Sequence, residues 1–204
     1  MTRKSSNVQG AIIIILLGFF FSGCSSPDPL TKQQRTALNE MLACHVTDEQ
    51  PERVIIQKET LDKFPAIEKV FKIVSNGEER YTFVVGPVGY RSTINMLVVI
   101  DPKVNQVRGI KVIRHNETPG YGESLTEAWF TNRFQGKSVD RYLKRSILEV
   151  EDSNEIIQIT GASASSQAVL NGVNSALGTY REVVLGEKAE PVELQLKGFV
   201  TETK

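Results

Sequence analysis

Ile159-Thr160-Gly161-Ala162-Ser163-Ala164-Ser165-Ser166-Gln167-Ala168-Val169-Leu170-Asn171-Gly172-Val173 runs from small, hydroxyl-bearing residues straight into a helical pattern. Ala168, Val169, Val173, Ala176, Leu177 and Tyr180 fall on one face of that helix, which is predicted to begin near Ser166. The first amides of a helix have no intrahelical acceptor and lie at the positive end of its dipole, so they favour a phosphate or another anion. Serine and threonine are also ordinary N-cap residues, so a merely well-capped helix explains the same residues. Both readings stand on this stretch alone.

Upstream, Ile156-Ile157-Gln158-Ile159 reads as a short strand feeding the hydroxyl-rich segment. The charged residues 138–155 carry no clear pattern. Before them come four β runs: Val70–Val74, Tyr81–Val85, Thr93–Asp101 and Val107–Ile113. Ser75-Asn76-Gly77-Glu78 turns the first into the second, and Asp101–Gln106 turns the third into the fourth. Successive antiparallel strands with helices on both sides in sequence predict an α+β domain, an antiparallel sheet with helices packed on one side. Between the strands and the final helix lies His115-Asn116-Glu117-Thr118-Pro119-Gly120-Tyr121-Gly122-Glu123. Its proline and glycines prescribe a tight loop whose backbone can approach a bound group. Ser124 to Glu127 has capping-box spacing, with Trp129, Phe130 and Phe134 as the apolar side of a following helix.

Residues 1–23 read as an export segment, with Arg3 and Lys4 before the apolar run Ala11–Phe21. That run is shorter than the roughly 20 residues needed to span a bilayer as a helix. Phe21-Ser22-Gly23-Cys24 resembles a bacterial lipobox in which Cys24 is lipidated; the alternative is a short uncleaved anchor. Either would attach the chain to a membrane with its soluble part outside the cytoplasm. Residues 24–30 form a Ser/Pro tether, and residues 31–204 a single domain that opens on a helix from Thr31 to about Val46. Residues 197–204 read as a frayed end. Lysine plus arginine balance aspartate plus glutamate at 24 each, which excludes a bulk field recruiting nucleic acid. Two cysteines exclude a disulfide scaffold; Cys44 reads as a small buried residue, and no metal-ligand cluster is visible.

Three signatures occur in order: Gly89-Tyr90 before the strand ending at Asp101; Glu117-Thr118-Pro119-Gly120-Tyr121-Gly122 with Trp129, Phe134, Gly136 and Lys137; and Thr160–Val169. Over residues 80–180 the chain resembles the FMN-binding domain family that includes the G subunit of the Rnf complex and the C subunit of the sodium-pumping NADH:quinone oxidoreductase. The resemblance implies FMN joined through its phosphate to a hydroxyl by a separate flavin transferase that uses FAD. The acceptor position is Ser163, where the family has threonine, and Ile157 stands where the family tends to have an acid. Thr160, Gly161, Ala162, Ser165 and Ser166 would surround the phosphate. Glu117, Thr118, Gly120, Tyr121 and Gly122 would lie along the flavin, with Glu117 and Lys137 alternatively a structural ion pair.

The function so implied is a membrane-attached, extracytoplasmic electron carrier in an Rnf-type ion-translocating complex, with the complex's other subunits as partners. The C subunit of the sodium pump and a free-standing flavin lipoprotein are alternatives, as is an assembly lipoprotein without covalent flavin. A flavin reductase acting with NADH is disfavoured because the chain has no dinucleotide fingerprint.

Overall fold

A computed structural model describes residues 30–42, 51–75 and 77–194. Cys24 and its lipobox, Cys44, and residues 197–204 lie outside the described residues. The main sheet has five strands in the order β1-β2-β3-β4-β5, all antiparallel. They are β1 (Glu52–Arg53), β2 (Ile67–Ser75), β3 (Glu78–Val85), β4 (Asn95–Asp101) and β5 (Gln106–Arg114). The four long strands are those expected from sequence. Ser75 pairs with Glu78, leaving Gly77 at φ 75 in the hairpin turn. The two-residue β1 and the short helix α2 (Lys58–Lys63) carry too little periodicity to be read beforehand.

Period-two alternation divides the sheet between two apolar clusters. Phe83, Val85, Met96, Val98 and Ile100 face the larger core, where α4 (Ser163–Tyr180) packs. Val84, Leu97 and Val99 point the other way and meet Ala37 and Leu38 of α1 (Lys32–Leu42). Val107 and Ile110 share the larger core despite their odd spacing, because a register shift skips Arg108. The α+β class is as expected. Helical cover on one side is true of the main core, and α1 amends it with a thin layer on the opposite face. The side-chain direction of β3 and β4 required this: both faces of those strands are apolar. Thr31 and Gln34 cap α1 reciprocally, Thr31 N donating to Gln34 Oε1 (2.9 Å) and Gln34 N to Thr31 Oγ1 (3.2 Å).

The expected capped helix after Ser124 does not form. Glu123–Thr126 is a 3₁₀ turn, Glu127 is extended (φ −71°, ψ 140°), and α3 spans only Ala128–Thr131. Neighbouring helical positions diverge by about 100°, and in this short helix only Phe130 is turned inward, with Ala128 and Trp129 exposed. Phe130 is buried against Phe134 (ring centroids 5.5 Å apart), whereas Trp129 is 49% exposed with the Arg133 guanidinium 4.8 Å over its ring. The core role expected for Trp129 is thus corrected.

The charged stretch contains β6 (Lys144–Ser146), paired in parallel with β7 (Glu155–Ile157). The Asn174 side chain joins α4 to this unit, accepting from Leu143 N (2.8 Å) and donating to Leu143 O (2.9 Å). That pair satisfies a backbone that has no strand beside it. Covered by the sheet and by this unit, α4 is buried nearly all round, from Ser165 through Tyr180 except Gln167.

Candidate functional site

Two turns of the same kind meet at the amino end of α4. In Thr118–Tyr121, Tyr121 N donates to Thr118 O (3.1 Å), with Pro119 second and Gly120 third at φ 79. In Ile159–Ala162, Ala162 N donates to Ile159 O (3.0 Å), with Gly161 third at φ 80. Both match a type II turn, whose third position needs a left-handed residue and so favours glycine. The Tyr121 ring lies over Gly161, where an added Cβ would be 2.9 Å from its Cδ1. The loop and the helix start therefore form one wall.

α4 begins at Ser163, earlier than the sequence suggests, after an N-cap Ala162 that supplies no side-chain acceptor. Ser166 does not cap the helix: its Oγ accepts from Ile159 N (2.9 Å), pinning β7's exit to the helix. The first bond into the helix is Ser166 N to Ala162 O (2.9 Å). The amides of Ser163, Ala164 and Ser165 precede it and have no intrahelical acceptor.

The four hydroxyls of this stretch differ sharply. Ser165 Oγ donates to Glu117 Oε2 and is buried. Ser166 is buried and engaged as above. Thr160 is exposed and outside the cleft. Ser163 is half-buried, lines the cleft, and has no side-chain hydrogen bond among the described residues.

The cleft, about 370 Å³, is lined by Tyr90, Thr118, Tyr121, Gly161, Ala162, Ser163, Ala164 and Ser165. Tyr90 and Tyr121 are 52% and 54% exposed, so each presents a half-open ring at the rim, that of Tyr121 with one side on Gly161. Tyr90 was not among the expected site residues, although Gly89-Tyr90 opens the first signature. Glu117, Gly120, Gly122, Thr160 and Ser166 shape the surroundings without lining the cleft. Free amides at a helix start suit a phosphate, the Ser163 hydroxyl suits an ester to it, and open aromatic rings suit a flat heterocycle. This donor set fits FMN.

Glu117 and Lys137 do not pair. Lys137 Nζ donates to the carbonyls of Ser153 (2.6 Å) and Glu155 (3.0 Å), and burial lowers its pKa. Arg133 Nη1 donates to Ile157 O (2.5 Å), so position 157 is braced through its carbonyl. Gly136 and Lys137 exchange backbone bonds with Val107 at the edge of β5, which accounts for that part of the second signature structurally.

The profile of the FMN-binding domain matches residues 89–178, from the residue before Tyr90 to near the end of α4. The G subunit of the ion-translocating oxidoreductase complex of Methanosarcina acetivorans is 30% identical over 148 residues, covering 72% of this chain and 74% of that protein. The chain belongs to this G-subunit family. FMN is the cofactor of the matched domain. The G subunit of the Na(+)-translocating ferredoxin:NAD(+) oxidoreductase complex of Acetobacterium woodii is 37% identical over 116 residues, 53% of each chain. The match to the G subunit of Buchnera aphidicola covers 44% of that protein, so the chain spans about half the length of these two relatives. Among solved structures, Shewanella oneidensis NqrC superposes with a TM-score of 0.52 at 16% identity, covering 71% of this chain and 90% of that one. The C subunit of the Na(+)-translocating NADH-quinone reductase of Parabacteroides distasonis gives 0.51 at 20% identity, covering 56% and 61%. These two likenesses concern the fold. Among the described residues no helix is long and apolar enough to cross a membrane.

Proposed function

We propose that this member of the G-subunit family is an electron carrier holding FMN as a phosphodiester on Ser163, within an Rnf-type membrane complex. The observation that supports Ser163 is the sorting of hydroxyls: of the four near the helix start, it alone both lines the cleft and is uncommitted to another protein group. The esterified phosphate would keep a negative charge, for which the Ser163, Ala164 and Ser165 amides are the local donors. Tyr90 and Tyr121 would bound the flavin while leaving its outer edge open to a redox partner. Bound FMN supplies one- and two-electron chemistry; the chain supplies binding, orientation and electrostatics. A flavin transferase using FAD would make the ester, and attachment through Cys24 would hold the domain against the membrane on its extracytoplasmic side.

Mass spectrometry of the chain coexpressed with a flavin transferase tests the site. An adduct of FMN mass is expected on the wild type and on Thr160→Ala, and is lost from Ser163→Ala. Persistence of the adduct in Ser163→Ala, or its absence from the wild type, overturns the assignment.

A further inference from the structure

We infer that Glu117 is the positioning residue of the flavin site: from behind, it holds together three chain segments that line the cleft, and its charge tunes the flavin. This rests on the proposal that FMN occupies the cleft at Ser163.

Glu117 opens the Pro-Gly turn yet is only 5% exposed and does not line the cleft. Its Oε2 accepts from Tyr90 N (3.0 Å) and from the Ser165 hydroxyl; its Oε1 accepts from Arg91 N (3.1 Å) and Ser92 N (3.4 Å). The residues so gripped come from two separate parts of the chain, and the loop that carries Glu117 itself is the third. Tyr90 belongs to the loop between β3 and β4, Thr118 follows Glu117 directly, and Ser165 stands in the first turn of α4; all three line the cleft. Two glycines of the sequence motifs leave room beside Glu117, Gly89 next to its carboxylate and the Ser92 carbonyl and Gly122 next to its stem. A Cβ on Gly89 would lie 2.5 Å from Glu117 Oε1, and one on Gly122 would lie 2.2 Å from Glu117 Cβ. Glu117 is therefore built in, by its donors and by the space cleared around it.

The named partners are backbone and hydroxyl dipoles, all donating, and this demands an acceptor on both oxygens. A glutamine of the same shape presents an NH₂ to at least one of those donors, so the loop carrying Tyr90 loses its hold. The carboxylate also places a negative charge one side chain behind the α4 amides. That charge opposes the addition of electrons to a flavin in the cleft, and removing it makes reduction easier.

The test compares wild type, Glu117→Gln and Ser165→Ala. Apo chains are incubated with flavin transferase and FAD, and initial flavinylation rates, free-FMN Kd, thermal midpoints and bound-flavin potentials are measured. Glu117→Gln, at a temperature where it is folded, is expected to lose flavinylation rate by about tenfold or more through misplacement of the walls. Its bound flavin shifts to a more positive potential. Ser165→Ala removes one link but keeps the carboxylate, so it gives a smaller loss of flavinylation rate and no shift of the potential to more positive values. A purely structural role would lower the thermal midpoint and leave the folded variant's rate and potential at wild-type values; that result overturns the inference. If Glu117→Gln does not fold, Ser165→Ala decides, and a wild-type flavinylation rate in it overturns the inference. No adduct on the wild type sinks the Ser163 ester instead. The free-FMN Kd then decides for Glu117: about tenfold weaker binding by the variant supports positioning, and equal binding refutes it.

Discussion

Gly122→Ala separates a steric requirement from a conformational one. Gly122 has φ −82° and ψ −15°, an ordinary right-handed conformation that alanine adopts without strain. At such a position the exchange should stabilise the fold by about 0.4–1 kcal/mol, because alanine restricts the unfolded chain. The tertiary structure predicts the opposite sign. The added methyl would sit 2.2 Å from Glu117 Cβ and 3.3 Å from its Cα, far inside van der Waals contact and against atoms that cannot swing away. Overpacking of this kind costs about 1–3 kcal/mol, so the net effect is a loss of about 0–2.5 kcal/mol once the unfolded-state gain is set against it. Each kcal/mol lowers the melting midpoint by about 2–4 °C in a domain of this size. Urea unfolding gives the free energy directly, provided the slope m is unchanged. A variant more stable than wild type would refute the steric argument and with it the close packing of Glu117 against the Gly120-Tyr121-Gly122 backbone.

Two further outcomes follow from groups remote from the cleft. Burial pushes the Glu182 carboxyl up, but hydrogen bonds from Lys63 Nζ (2.5 Å) and Thr60 Oγ1 (2.9 Å) outweigh it and hold the group below its ordinary value. A depressed folded pKa stabilises above the unfolded value, about 4.3 for glutamate, and the benefit is lost as pH falls through the folded value. Glu182→Gln is thus expected to be less stable than wild type at pH 7, with the gap closing below about pH 4; an equal gap in urea midpoints at both pH values rejects the linkage. Trp129, the sole tryptophan, should emit as a solvent-exposed indole open to acrylamide. Trp129→Ala should cost about 1 kcal/mol or less, against about 3–5 for the buried Phe130→Ala, and reversed costs in denaturant titrations would contradict the placement of the two rings.

The long strands were legible because their β-branched runs and bounding turns are local signals. The inner face of the last helix, Ala168, Val169, Val173, Ala176, Leu177 and Tyr180, is buried as its spacing predicted. The type II turns were legible in part: Pro119-Gly120 and Gly161 announce tight loops, and the structure assigns their positive φ. The break at Glu127 was not legible, since Ser124 to Glu127 has the residues of a capping box, whereas the folded chain buries both Leu125 and Phe130 with an extended Glu127 between them.

The sequence by itself determined the α+β class and the order of the strands, because periodicity and turn residues are carried by neighbours in the chain; the stretch around Ser163 stood out as a candidate site only through its resemblance to the FMN-binding family. Tertiary structure decided which hydroxyl is uncommitted and which donors the Glu117 carboxylate holds. Those depend on Ile159 N reaching Ser166, and on Tyr90 and Ser165 reaching a carboxylate 27 and 48 residues away. A hydroxyl or a carboxylate looks the same in sequence whether it is free or committed; its partners are fixed only when distant segments pack and each buried donor must find an acceptor.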